Sequence, residues 1–171
     1  MEYKETEEIE STIIKEISKY NDIRLYKFRN SVENITTEKI EITNCIFENC
    51  KCTDSKFINV YFTNTIFKDC DFSNTDFSES NFVECIFLNC KFIGAKFVDT
   101  SIYKMNIKQS NLEYSNLSNS NIKETNFEET NLAMSSFEEC KLKNVKFNDC
   151  ELYRTQMFRT NLKGIDFSTC N

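Results

Sequence analysis

Nine cysteines and 27 carboxylates are the residues in this chain of 171 that could do chemistry, and no histidine is present to work with them. The cysteines are Cys45, Cys50, Cys52, Cys70, Cys85, Cys90, Cys140, Cys150 and Cys170. Cys50 and Cys52, with Cys45 nearby, have the donor type of a zinc site. Zinc loops, however, space their ligands roughly two to four residues apart on turns and commonly add histidine. Disulfides are the other chemistry open to these residues. The carboxylates lack the histidine of a His-based triad or general base, and no glycine-rich phosphate loop occurs. These residue types do not describe an enzyme, and neither a metal nor a cofactor is expected.

The spacing of the cysteines points elsewhere, to a repeat. Between Asn81 and Asp99 a large apolar residue recurs every fifth position, at Phe82, Phe87, Phe92 and Phe97, and two residues before each stands Ser80, Cys85, Cys90 or Ala95. Five is neither the helical nor the strand period, so an internal repeat takes precedence over any helix or strand assignment. The repeat holds over most of the chain. The large residue, here the centre, falls at every number ending in 2 or 7 from Ile42 to Phe167, 26 times without a slip. Nine consecutive centres are phenylalanine: Phe57, Phe62, Phe67, Phe72, Phe77, Phe82, Phe87, Phe92 and Phe97. From Cys45 onward no charge stands at the centre or two residues before it.

A chain that must bury every fifth residue needs a right-angled corner in each pentapeptide. Four pentapeptides, about twenty residues, then close a square coil, and coils stack as a parallel ladder in which each touches only its neighbours. The spacing predicts an all-β fold: a right-handed quadrilateral parallel β-helix of about six and a half coils, about 30 Å long at the strand spacing of ~4.8 Å. Each buried phenylalanine contributes on the order of 2–3 kcal/mol before entropy is subtracted. Eight cysteines occupy the small inward position and Cys52 a centre, so free buried thiols acting as small hydrophobes are expected. Cys50, Cys70 and Cys90 share a column, as do Cys150 and Cys170. Their stacking falls within disulfide reach, while a reducing compartment argues against bonding.

Ser115-Asn116-Leu117-Ser118-Asn119 and Thr75-Asp76-Phe77-Ser78-Glu79 match the pattern small, polar, Leu or Phe, polar, polar. On that pattern residues 40–171 resemble the pentapeptide-repeat family, which is defined by architecture rather than activity. Asn111 to Ser118 and Leu162 to Phe167 further resemble stretches of its Qnr-like quinolone-resistance members. That narrower resemblance implies a DNA mimic that occupies the cationic DNA-binding saddle of DNA gyrase or topoisomerase IV, and so protects the enzyme from quinolones or inhibits it. Two departures stand against it. No inserted loop interrupts the period, and the chain reaches Asn171 without the dimerising helical module of those relatives. Either the chain is a truncated form or it ends in an uncovered β-edge; such an edge invites pairing, and a homodimer through the C-terminal coil is then expected.

Net charge is −6. Sorted by the four faces of the coil, the charges are uneven. The face of Phe47, Phe67 and Phe87 nets −3 and the face of Phe57, Phe77 and Phe97 nets −2, while the face of Ile42, Phe62 and Leu142 nets +2 through Lys104, Lys123, Lys141, Lys143 and Lys163. Direct nucleic-acid binding is not expected of such a surface. The partner-binding candidates are the acidic columns: Asp76, Glu79, Glu128, Glu129, Glu138, Glu139, Asp149 and Asp166. Two readings remain open, a topoisomerase-binding mimic and a generic scaffold for another protein, with the acids as ordinary solvated charge in the second. Ile46, Ile66 and Ile86 share an outward column, with Leu88 beside the last, either as a β-branched ladder or as an apolar contact strip.

Residues 1–22 read as an N-terminal helical cap and 23–171 as the solenoid. From Glu5 to Tyr20, Ile9, Ile13, Ile14 and Ile17 share one helical face. A helix here would cover the first coil or dock onto a partner. Residues 23–43 form a degenerate first coil whose phase is set only from Ile40. The acidic start is unlike a signal peptide, and no run approaches the ~18 apolar residues of a membrane span. A cytoplasmic protein is expected.

Overall fold

The computed structural model describes residues 4–6, 22–31 and 34–171. The chain is an all-β parallel solenoid. Residues twenty apart stand in register, Ile42 against Phe62, Phe62 against Phe82, Phe82 against Ile102 and Ile102 against Ile122. The four faces, however, are not alike. The first face is an eight-stranded parallel sheet of Lys4–Thr6, Tyr26–Ser31, Ile46–Lys51, Ile66–Lys68, Ile86–Leu88, Asn106–Lys108, Asn126–Glu128 and Lys146–Asn148. The fourth face, around Ile42 and Phe62, is a seven-stranded sheet from Asp22–Arg24 to Lys141–Lys143.

The second face (Cys52, Phe72, Phe92) and the third (Phe57, Phe77, Phe97) carry mostly single bridges, such as Asp71 to Lys91 and Asp76 to Lys96. Their corners close as hydrogen-bonded turns. Thr75 N–H donates to Phe72 O at 3.1 Å, Ser80 N–H to Phe77 O at 3.2 Å and Ala95 N–H to Phe92 O at 3.0 Å. The residue two after the centre, third of each turn, has positive φ, as in a type II turn.

Positive φ at that position recurs on all four faces, from Asn44 at +54° to Arg159 at +56°. L-residues avoid this region, asparagine and aspartate less than most, and β-branched residues most of all. The sequence obeys this rule. From residue 44 to 164 the position holds Asn, Asp or Gly at most repeats and never Val, Ile or Thr. The distinction was legible in the chain but hidden within the description of this position as polar.

The interior is a stack of aromatic columns. The nine centres from Phe57 to Phe97 are each 0–1% exposed. Most rings one coil apart stack, with centroids 4.9 Å apart for Phe62 and Phe82 and 5.1 Å for Phe77 and Phe97, whereas Phe67 meets Phe87 edge to face at 5.0 Å. Rings on neighbouring faces mostly meet tilted or edge to face, as Phe62 and Phe67 do at 5.5 Å, although Phe87 and Phe92 stack at 4.3 Å. Both arrangements suit the ring quadrupole.

Hydroxyls and thiols at the small position hold coils together by donating to a carbonyl of the previous coil. Ser80 Oγ reaches Phe57 O at 2.8 Å, Thr75 Oγ1 reaches Cys52 O at 2.7 Å, and Ser120 Oγ reaches Phe97 O at 2.7 Å. Cysteines do the same: Cys70 Sγ to Phe47 O and Cys90 Sγ to Phe67 O, each 3.3 Å. All nine thiols are free, eight of them buried and Cys170 half-buried. They are therefore more than small hydrophobes, since they stand in for serine.

The N-terminal region departs from expectation. The helix was expected to begin at Glu5, but Lys4–Thr6 is a strand paired in parallel with Tyr26–Phe28. No helix occurs among the described residues, and residues 1–3 and 7–21 of the expected cap lie outside them. The pairing to Tyr26–Phe28 places Lys4–Thr6 on the first face, where a helix could not continue the ladder. The degenerate first coil does form, and it is one residue short. Ile23 pairs with Ile42 and Phe28 with Phe47, nineteen apart, whereas Asn30 pairs with Cys50, twenty apart, with an irregularity between Phe28 and Asn30. From Asn30 the register is already twenty, and the centre opposite Phe57 is Thr37, a polar residue that hides the phase before Ile40.

Candidate functional site

Outward residues of the solenoid repeat at one-coil intervals, so charge lies in columns. Glu128, Glu129, Asp149 and Asp166 lie on the first face, and Asp76, Glu79, Glu138 and Glu139 on the third. With four faces to a coil, these two sets lie on opposite sides of the rod, and the structure does not gather all eight into one patch.

Their local chemistry differs too. Glu128 is ion-paired with Lys108 Nζ at 2.8 Å, and Glu139 with Arg159 at 2.9 Å. Glu129 accepts from Gln109 Nε2 at 2.7 Å. Asp76 Oδ1 accepts from Ser78 N–H at 3.0 Å and from Ser78 Oγ at 2.5 Å. Asp166 accepts from Ser168 N–H at 2.8 Å, and that bond holds its carboxyl below the usual carboxylate range. Glu79, Glu138 and Asp149 have no side-chain partner among the described residues. Exposed ion pairs of this kind contribute little to stability. They do lower the negative charge a partner would meet.

The most heavily paired carboxylate was absent from the candidate set. Glu48 binds Lys27 at 3.0 Å, Arg29 at 3.2 Å and Lys68 at 3.5 Å, and the Lys27 hydrogen bond leads in holding its carboxyl low. It ties the irregular first coil to the regular ones above. Its signal in the sequence was a carboxylate one coil below Lys68, visible only once the register to Lys27 is known.

A shallow groove of about 710 Å³ follows the corner between the first and second faces, lined by Asn49, Lys51, Asp69, Asp71, Gln109 and Glu129 among others. Asn89 Nδ2 bridges to Asp69 Oδ1 at 2.6 Å along this corner. The floor includes Cys50, Cys70 and Cys90, whose Sγ atoms already engage main-chain carbonyls. Hydrogen bonding to Cys70, and then burial, pushes the Cys50 and Cys90 thiols up. Burial raises Cys45 to about 11 and Cys85 to about 12. The Cys45, Cys50, Cys85 and Cys90 thiols therefore stay protonated and are poor nucleophiles. Among the described residues no group of three or more His, Cys, Asp or Glu is placed to hold a metal ion.

Ile46, Ile66 and Ile86 do stack in register in the first sheet, and Ile86 is 37% exposed. Asn106 follows in that column, so the apolar strip spans three coils only. The fourth-face lysines Lys123, Lys141, Lys143 and Lys163 are exposed, and Lys104 pairs with Glu84 at 3.3 Å.

Several known proteins share this architecture. HetL, a pentapeptide-repeat protein involved in heterocyst differentiation regulation in the cyanobacterium Nostoc, aligns over 94% of this chain and 95% of its own, with 12% identity and a TM-score of 0.51. Full-length QnrB1, a plasmid-mediated fluoroquinolone resistance protein, aligns over 88% of this chain and 92% of its own at 18% identity, with a TM-score of 0.39. Rfr23 from the cyanobacterium Cyanothece aligns over 86% and 98% at 14% identity, with a TM-score of 0.43. At these identities the likeness concerns the fold. No curated protein matches the sequence. The family model for the pentapeptide repeat region matches residues 40–117 and 80–167, which together span most of the solenoid. With the five-residue ladder built from these same residues, the chain belongs to the pentapeptide-repeat family.

Proposed function

We propose that the protein is a non-enzymatic binding rod that presents fixed columns of charge to a protein partner. The observation that supports this is the unbroken register from Ile42 to Phe147, which holds outward side chains at one-coil spacing. A ladder this rigid loses little entropy on binding, and preorganisation of that kind favours recognition of an extended surface.

In its finer form the reading is a DNA mimic. The partner is then the cationic DNA-binding surface of a type II topoisomerase, DNA gyrase or topoisomerase IV, which the rod modulates or protects from quinolones. The resemblance of Asn111–Ser118 and Leu162–Phe167 to Qnr-like stretches favours it. So do Glu128, Glu129, Asp149 and Asp166, which lie on one face in three successive coils. The pairing of Glu128 and Glu139, and the split of the acids over opposite faces, favour the coarser reading of a scaffold with another partner.

DNA supercoiling by gyrase, with purified protein and with or without ciprofloxacin, separates the two. Inhibition or protection that weakens in Asp149→Lys and Glu129→Lys supports the topoisomerase reading. A folded sample with no effect at any concentration removes it and leaves the scaffold.

A further inference from the structure

Charge along the rod changes sign near its C-terminal end. Residues 40–139 carry a net −7, whereas residues 140–171 carry +3. Among the described residues, two of the three most exposed large hydrophobic side chains lie in the cationic part, Tyr153 at 55% and Phe158 at 65%. Both stand one residue after a centre, on the second and third faces of a single coil. Most other coils place serine or another small or polar residue there, as at Ser73, Ser78 and Ser118.

Each ring carries its own arginine. The guanidinium of Arg154 lies 5.1 Å from the Tyr153 ring centre, and that of Arg159 lies 5.1 Å from the Phe158 ring centre. Both arginines occupy the positive-φ corner, at +55° and +56°, where asparagine or glycine is easier to hold. The chain thus places long cationic side chains in a strained position. Arg159 is partly neutralised by Glu139, while Arg154 has no carboxylate partner among the described residues. Half-buried Met134 and exposed Tyr114 occupy the same corner one and two coils below Arg154 and extend the apolar surface.

We propose that Tyr153, Arg154, Phe158 and Arg159, with Tyr114 and Met134, form a docking surface for an acidic protein segment bearing an aromatic or aliphatic side chain. The arginines take the carboxylates in bidentate contacts, and the rings cover the apolar group. Tyrosine, phenylalanine, methionine and arginine are the residues protein interfaces favour, and arginine over an aromatic ring keeps its planar donors free at the edge. An acidic protein segment fits better than nucleic acid because the long acidic remainder of the rod repels a continuous polyanion. The surface meets the acidic columns at one point, the Arg159–Glu139 pair, and its other members lie outside them.

The test is fluorescence anisotropy of the full chain with a labelled random glutamate–tyrosine copolymer, set against polyglutamate and oligothymidylate of similar length. The expected result is tightest binding to the copolymer, with about a tenfold loss in Phe158→Ser and in Arg154→Ser, and retention in Tyr153→Phe. Tyr61→Ser, an equally exposed tyrosine on the fourth face, leaves binding unchanged. Because all these side chains point outward, unchanged urea midpoints check that the variants fold. Absence of copolymer binding overturns the proposal, as does an equal loss in Tyr61→Ser. Equal or tighter binding of oligothymidylate overturns it in favour of a nucleic-acid surface.

Discussion

Replacing Ser80 isolates the internal ladder that joins coil to coil. Its hydroxyl is buried, donates to Phe57 O at 2.8 Å and accepts from Val60 N–H at 2.9 Å. Ser80→Ala leaves a buried donor and a buried acceptor unmatched. An orphaned buried group costs about 1–3 kcal/mol, and the methyl is too small to let water replace the hydroxyl. The expected loss is about 2–4 kcal/mol. Ser80→Cys behaves differently, because Cys70 makes the same two contacts in its own coil. Its Sγ donates to Phe47 O at 3.3 Å and accepts from Cys50 N–H at 3.3 Å. The thiol therefore restores at least half of the loss. The assay is equilibrium urea unfolding followed by circular dichroism, with the slope checked for constancy so that midpoint shifts read as stability. An alanine variant within about 0.5 kcal/mol of the parent refutes the ladder as a source of stability. A cysteine variant as unstable as the alanine one refutes the view that thiols substitute for serine here.

Three further outcomes are expected. Alkaline pH destabilises the fold through its thiols: burial raises Cys85 from the ordinary 9.0 to about 12. A raised folded-state value means stability is intact below about pH 9 and is lost as pH climbs towards 12, on the order of 4 kcal/mol for this one thiol. Cys85→Ser, which keeps a donor to Phe62 O, flattens that decline in urea midpoints measured against pH. Gly94→Ala destabilises more than Gly164→Ala. Both have positive φ, worth about 1 kcal/mol, but a Cβ at Gly94 lies 2.8 Å from Asn74 Oδ1, whereas one at Gly164 meets nothing within 4 Å. Adding Asn74→Ala removes the difference, and equal melting shifts for the two glycine variants would contradict this. Finally, we propose that two copies meet through the C-terminal coil, where Leu152, Met157 and Phe167 are only half-buried. Light scattering at rising concentration then shows a dimer that Met157→Glu dissociates, and a constant monomer mass counts against it.

The candidate site was less legible than the fold. Acidic residues such as Glu128 and Glu138 could be assigned to faces by counting. Counting does not show that Lys108 neutralises the first of these and that no described side chain partners the second. The aromatic–arginine pairs at Tyr153 and Phe158 were equally visible as letters. They became a surface only when both rings proved exposed and both guanidinium groups lay over them.

What the sequence by itself determined is the inward set. A centre every five residues and an uncharged small residue two before it leave one way to bury both, and the structure encloses Phe57 through Phe97 accordingly. What only the tertiary structure decided is how each face closes. Asn111 and Asn116 accept from the N–H groups of Glu113 and Ser118 at 2.9 Å within tight turns. Asn106 and Asn126, the same residue at the same pentapeptide position, lie in extended strands of the first sheet. The local sequences are equivalent. The difference comes from the neighbouring coil, which pairs with three residues on one face and with a single bridge on the other, and so sets whether the next N–H is left for a side chain. The missing residue in the first coil is of the same kind: only the pairing of Phe28 with Phe47 and of Asn30 with Cys50 reveals where the count changes.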